Sequence, residues 1–175
     1  LLTDMHDFNT VIINRMGGVG DGTGANGTAT NVSPLTDSDL NAMRAFLDSQ
    51  AAPDNPNLPA TNADQVAAGL AVFTRQDVGC ATCHYGPDFT DNSFHDVGSM
   101  INNTPTGQSE TAFFPNGGVN TPSLHNLFAT APYLHDGSMG TIKDRVSNDM
   151  GGKHGHTAQL SGQEIDDLVA FLQTL

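Results

Sequence analysis

The run Cys80-Ala81-Thr82-Cys83-His84 carries the residue types and spacing in this chain that point most directly at a cofactor. Two thiols about one helical turn apart can face one edge of a porphyrin and form thioethers with its vinyl groups. The histidine that follows can then reach the iron as proximal ligand. Two other chemistries share part of the pattern. A zinc site needs two more Cys or His at suitable spacing, and the chain holds no third cysteine. A thiol redox pair does not call for the histidine. The motif therefore predicts one covalent haem c, tethered at Cys80 and Cys83 with His84 on the iron. Both cysteines are consumed in this way, so no disulfide is expected.

A haem iron takes a second axial ligand or keeps an open position, and that choice separates electron transfer from catalysis. After the motif the candidates are His95, Met100, His125, His135, Met139, Met150, His154 and His156. In single cytochrome c domains the distal ligand usually comes from the loop before the C-terminal helix. That position favours Met150, with Met139, His154 and His156 as alternatives.

The surrounding chain must position these groups. Residues 3–16 place Met5, Phe8, Val11, Ile12 and Met16 at helical spacing, whereas residues 17–33 are rich in Gly, Asn and Thr and show no periodicity. The Asp21-Gly22-Thr23-Gly24 run inside that loop lacks a P-loop Lys-Ser/Thr pair and has too few acidic ligands for an EF-hand, so it reads as a flexible insertion. A helix is predicted over 36–49, with Thr36 and Asp39 as a capping box and Leu40, Met43, Phe46 and Leu47 as its buried stripe. Three prolines make 50–61 an extended linker. A helix over 62–75, capped by Asn62, leads into the haem motif. Residues 85–120 are broken by Gly and Pro into loops, and helix signals return near 123–128 and 141–148. The last helix, 161–174, has a capping box at Ser161 and Glu164 and a stripe of Ile165, Leu168, Val169 and Leu172. No convincing strand is visible, so a mainly α fold is expected.

An internal repeat bears on domain organisation. The helix segment starting at Leu35 matches that starting at Leu160, with Leu, Ala, Phe and Leu recurring in register. Upstream stand Met16-Gly17-Gly18 and Met150-Gly151-Gly152. Residues 1–50 therefore read as the helical tail of a first cytochrome-like domain, whose own haem segment would precede Leu1. Residues 51–61 are the linker and 62–175 the c-type cytochrome domain.

Nineteen acidic against six basic residues leave a net charge of −13. That balance argues against nucleic acid and anionic membrane surfaces as partners, and suits docking onto a basic redox protein. No apolar run approaches membrane-spanning length. Haem attachment of this kind takes place outside the bacterial cytoplasm, so a periplasmic or extracellular location is expected.

The runs Asn120-Thr-Pro-Ser-Leu-His-Asn-Leu127 and Ala131-Pro-Tyr-Leu-His-Asp-Gly-Ser138, then Thr141-Ile142 and the final Leu-Val-Ala-Phe-Leu, resemble the bacterial di-haem cytochrome c peroxidase superfamily. The likeness is to the C-terminal cytochrome domain of its peroxidase-like relatives. It covers 62–175 well, and 1–50 weakly as the end of an N-terminal domain. In that family the N-terminal haem reacts with peroxide, while the C-terminal haem receives electrons and is commonly His/Met ligated; Met150 matches the family's methionine. The resemblance places Tyr133, His135 and Asp136 in a haem-lining turn, and Asn120 and Pro122 where the family binds calcium. His125 stands where the family usually has Arg, and the chain has no Trp for the place between two haems. The expectation is a cytochrome c-like haem domain with long loops that transfers electrons through one His84/Met150 haem. The alternative is the electron-entry half of a di-haem peroxidase-like oxidoreductase whose catalytic haem lies outside this chain. The implied partners are a redox protein and a haem-bearing preceding domain or subunit.

Overall fold

A computed structural model describes residues 36–59, 62–99 and 118–175. The expected helix over 3–16, the Gly-rich loop with Asp21, and both Met16 and Met100 lie outside the described residues. The chain divides into two units, Leu1–Ala52 and Pro53–Leu175.

In the first unit, helix α1 (Asp37–Asp48) begins where its cap predicts. The Thr36 hydroxyl accepts from the Asp39 N–H at 3.2 Å, and the Asp39 carboxylate accepts from the Thr36 N–H at 2.8 Å. These bonds satisfy two donors that the first helical turn leaves open, and the Thr36 hydroxyl, donating to the Asp39 carboxylate at 2.6 Å, and then the Thr36 N–H lower the Asp39 pKa. The buried stripe does not follow as expected. Leu40 is 1% exposed, but Met43, Phe46 and Leu47 are 39%, 64% and 56% exposed. Helical periodicity specifies a common face, not what covers it.

The second unit is built on the crossing of α2 (Ala63–Phe73) and α4 (Gly162–Leu172). Asn62 caps α2 by accepting from the Gln65 N–H at 3.1 Å, and Ser161 with Glu164 forms the capping box of α4. Gly69 lets the two backbones touch. A Cβ on Gly69 would sit 2.0 Å from the Asp167 carbonyl oxygen, so any larger residue forces the helices apart. Around this crossing Phe73 meets Phe171 with ring centroids 5.3 Å apart, and Val72, Val78, Leu168 and Leu172 are buried. Each such side chain contributes about 1.5–3 kcal/mol of burial. Arg75, just beyond α2, joins Asp77 at 2.7 Å and Glu164 on α4, tying the end of one helix to the start of the other.

Between them, Thr141 caps the short α3 (Ile142–Ser147), accepting from the Asp144 N–H at 3.0 Å. The signal near 123–128 is realised as a 3₁₀ turn at Leu127–Ala129. A two-residue antiparallel pair, β1 (Phe94–His95) with β2 (Val119–Asn120), sets Phe94 against Asn120 and His95 against Val119. Strands this short carry no alternation for a sequence reading to detect. The fold is mainly helical with long loops. Within 53–59, the side-chain amides of Asn55 and Asn57 donate to the Gln173 carbonyl at 2.9 and 3.1 Å, fastening that stretch to the end of α4.

Candidate haem site

The second unit encloses a cavity of about 800 Å³. Its wall is formed by Gly79 to His84, the loops carrying His95–Ser99 and Val119–Leu124, the turn from Thr130 to His135, the inner face of α3, the loop 152–157, and Leu168 and Leu172 of α4.

The motif enters this wall through Gly79, whose φ of +83° turns the chain into a 3₁₀ turn at Cys80–Thr82. The His84 N–H then donates to the Cys80 carbonyl at 3.1 Å, which puts the imidazole one turn beyond the first thiol. Burial pushes the Cys80 thiol pKa up, and burial together with nearby Asp91 does the same to Cys83. A reactive redox pair needs the opposite shift, so neither thiol is activated for exchange.

His84 Nδ1 lies 2.9 Å from the Phe89 carbonyl oxygen. A carbonyl can only accept, so in the neutral ring Nδ1 carries the proton, and the Pro122 backbone also bears on this imidazole. Burial lowers the His84 pKa, with the carbonyl of Phe89 and the carboxylate of Asp91 opposing it. The net shift favours the neutral ring, the form a metal ligand needs. His154 stands 6.3 Å away, centroid to centroid, with ring planes 26° apart. Two imidazoles sharing one metal at about 2 Å each would have ring centres about 6 Å apart. Burial, then Arg145, then His84 depress the His154 pKa to about 3, so this ring is neutral as well.

The other sequence candidates are placed as follows. Met150 opens the 3₁₀ turn Met150–Gly152 with φ of +53°, and its N–H donates to Asn148 Oδ1 at 3.1 Å. It packs beside Gly98 and is not among the cavity-lining residues. Met139 pairs through its backbone with Tyr133, at 2.7 and 3.3 Å, and also stands outside the lining. Tyr133 lines the cavity and donates its hydroxyl to the Leu127 carbonyl at 2.9 Å. His135 lines it too, with Nδ1 3.0 Å from the buried Ser99 hydroxyl. Asp136 accepts from the Ser138 N–H instead, outside the lining. Asn120, Pro122 and His156 are lining residues, whereas His125 is exposed and sits 2.9 Å from the Pro87 carbonyl. Cys83, Asp91 and His95 hold ligand-capable atoms within 4.8 Å of one another. A tether at Cys83 leaves Asp91 and His95 as a pair bonded at 2.8 Å.

Two wall residues escaped the sequence reading. Arg145 donates from Nε to His154 Nδ1 at 3.0 Å. Thr157 is 5% exposed, and its hydroxyl, which lies in a lining residue, has no partner. The signal for Arg145 was present: it falls on the same face of 141–148 as Ile142 and Val146, a basic residue on an apolar stripe. A haem fits these observations. The cavity is largely apolar, two thiols and two imidazoles 6.3 Å apart stand on its wall, and the buried Thr157 hydroxyl there has no protein partner.

Fold and site together define a c-type cytochrome domain, whose chemistry is haem-based and redox. No family model matches the chain. It is 36% identical over 122 residues to the methylamine utilization protein MauG of Methylorubrum extorquens, covering 61% of this chain and 33% of the relative. It is 30% identical over 183 residues to the cytochrome-c peroxidase IdrP2 of Denitromonas iodatirespirans, covering 78% of this chain and 50% of the relative. Among solved structures, hydrazine synthase of Kuenenia stuttgartiensis superposes with a TM-score of 0.62 at 25% identity, over 93% of this chain and 62% of that one. The chain belongs to the di-haem cytochrome c peroxidase-like superfamily. It spans a third to a half of the length of these two curated relatives.

Proposed function

We propose that this chain is an electron-transfer cytochrome domain in which Cys80 and Cys83 tether one haem c and His84 and His154 hold its iron. The observation that carries the reading is the pair of neutral imidazoles 6.3 Å apart inside one cavity. Met150 is the ligand its sequence position favours, but His154 is preferred because its ring faces His84 while Met150 stands outside the lining. When bound, the haem supplies one-electron cycling between Fe(III) and Fe(II). The chain's own residues orient and shield it. The Phe89 carbonyl fixes the His84 ring, Arg145 fixes that of His154, and Leu124, Ile142, Val146 and Leu168 exclude water from the cavity. An iron held by both imidazoles would suit electron transfer rather than substrate binding.

Absorption and electron paramagnetic resonance of the oxidised holoprotein test this. The wild type and Met150→Ala are expected to be low-spin and alike, without a methionine-to-iron charge-transfer band. His154→Ala is expected to turn high-spin and to bind cyanide promptly. A charge-transfer band that disappears in Met150→Ala would sink the His154 assignment and restore Met150.

A second reading is favoured by the peroxidase relative, of which this chain spans half. The domain then delivers electrons to a catalytic haem outside the chain. Peroxide turnover that requires an added haem-bearing partner, and is absent with the chain alone, separates this from a stand-alone carrier. Covalent haem attachment supports an exported protein, and among the described residues no helix is long and apolar enough to cross a membrane.

A further inference from the structure

Helix α3 carries a permanent cation into the cavity wall. Arg145 shares a face with Ile142 and Val146, both buried, and its own side chain is only partly accessible. Its bonds run to three neutral groups. Nε donates to His154 Nδ1 at 3.0 Å, Nη2 donates to the His154 backbone carbonyl, and Nη1 donates to the Asn148 carbonyl at 2.6 Å. All three acceptors are neutral. Asp149 acts on Arg145 through space, yet among the described residues no carboxylate forms an ion pair with it. A half-buried cation on neutral acceptors is less well compensated than one in water. The fork grips both the ring and the backbone of one residue, which removes the rotational freedom of that imidazole. Because a guanidinium can only donate, Nδ1 of His154 is the acceptor, and the nitrogen left to face a metal is Nε2.

We propose that Arg145 is a positioning residue for the haem iron: it holds the His154 ring in the cavity and, as a fixed positive charge beside it, favours the reduced iron. This rests on the His84–His154 reading above. Reduction adds one negative charge to the centre, and a cation a few ångströms beyond the ligand in a poorly solvated wall lowers the energy of that charge.

The test is potentiometric titration, with spin state followed in parallel, of the holoprotein and of Arg145→Gln, Arg145→Lys and His154→Ala. Arg145→Gln removes the charge and is expected to shift the reduction equilibrium about tenfold toward Fe(III), about 59 mV for a one-electron couple. Arg145→Lys keeps the charge but not the fork. It is expected to hold the potential within about a third of that change while its spectrum becomes a mixture of low- and high-spin forms. An unmoved potential in Arg145→Gln overturns the proposal, as does a shift in Arg145→Lys equal to that in Arg145→Gln. If Arg145→Gln fails to load haem, a uniformly low-spin Arg145→Lys overturns the positioning role. The underlying reading fails separately: His154→Ala that stays low-spin refutes the ligand pair, whatever Arg145 does.

Discussion

Asp91 is the residue through which acidity should reach the cavity wall. Burial works to raise its pKa, but the Ser93 N–H, His95 and Thr121 outweigh it and hold the carboxyl at about 2. The folded state therefore binds fewer protons than the unfolded one between about pH 4 and pH 2. Stability from this group is full above that window and is lost as pH falls through it. Asp91→Asn should flatten this part of the acid slope in urea midpoints measured from pH 5 to pH 2, without removing it, because Asp77, Asp96 and Asp136 are also held below the usual carboxylate range. A slope identical to wild type would exclude Asp91 as a contributor. Legibility differs sharply among the site residues. The Cys80–His84 motif is local, so spacing alone picks it out. His154 meets His84 only through the folding of the chain between them, so local spacing cannot pair the two, and sequence position alone favours Met150. Arg145 could have been read from its apolar stripe; Thr157 could not, because an unpartnered hydroxyl is a property of packing.

At the scale of elements, the caps carried the most information. Thr36 with Asp39, Asn62, and Ser161 with Glu164 begin helices in the structure where their side chains predict, because a cap is a contact within four residues. What covers a helix is non-local. The aligned stripes of α1 and α4 show this: Leu168, Phe171 and Leu172 are buried, while their counterparts Met43, Phe46 and Leu47 are exposed. Nor does any sequence signal mark Gly69 as a contact point, since glycine inside a helix reads only as a weakness. The structure makes it the closest approach of α2 to α4. Gly69→Ala should lower helix cost locally, yet the 2.0 Å overlap with the Asp167 carbonyl must be relieved by moving α4. The net expectation is a loss of about 1–3 kcal/mol, read as a lower urea midpoint, with Gly162→Ala nearly neutral because nothing lies within 4 Å of its Cβ position. A stable Gly69→Ala would show that the helices separate freely.

For the molecule as a whole, charge decides more than shape. The chain carries −13, and four of its six basic side chains are paired with carboxylates: Arg44 with Asp48, Arg75 with Asp77 and Glu164, Lys143 with Asp166 at 2.6 Å and Lys153 with Asp96 at 2.7 Å. Arg145 is turned into the cavity wall, so the field presented to an approaching protein is strongly negative. Such a field raises the encounter rate with a basic partner by tenfold or more at low salt, an advantage that fades once the Debye length shrinks to about 10 Å near 0.1 M. The haem-loaded chain should therefore exchange electrons with a basic redox protein at a rate that falls steadily as ionic strength rises. With an acidic protein of equal driving force the rate should instead climb, since salt screens a repulsion. Stopped-flow rates measured against both partners over one salt series separate steering from chemistry: opposite slopes are the signature of the acidic surface, whereas two flat lines mean that electrons leave by a patch whose local charge is cancelled, as at the Lys153–Asp96 pair on the cavity wall.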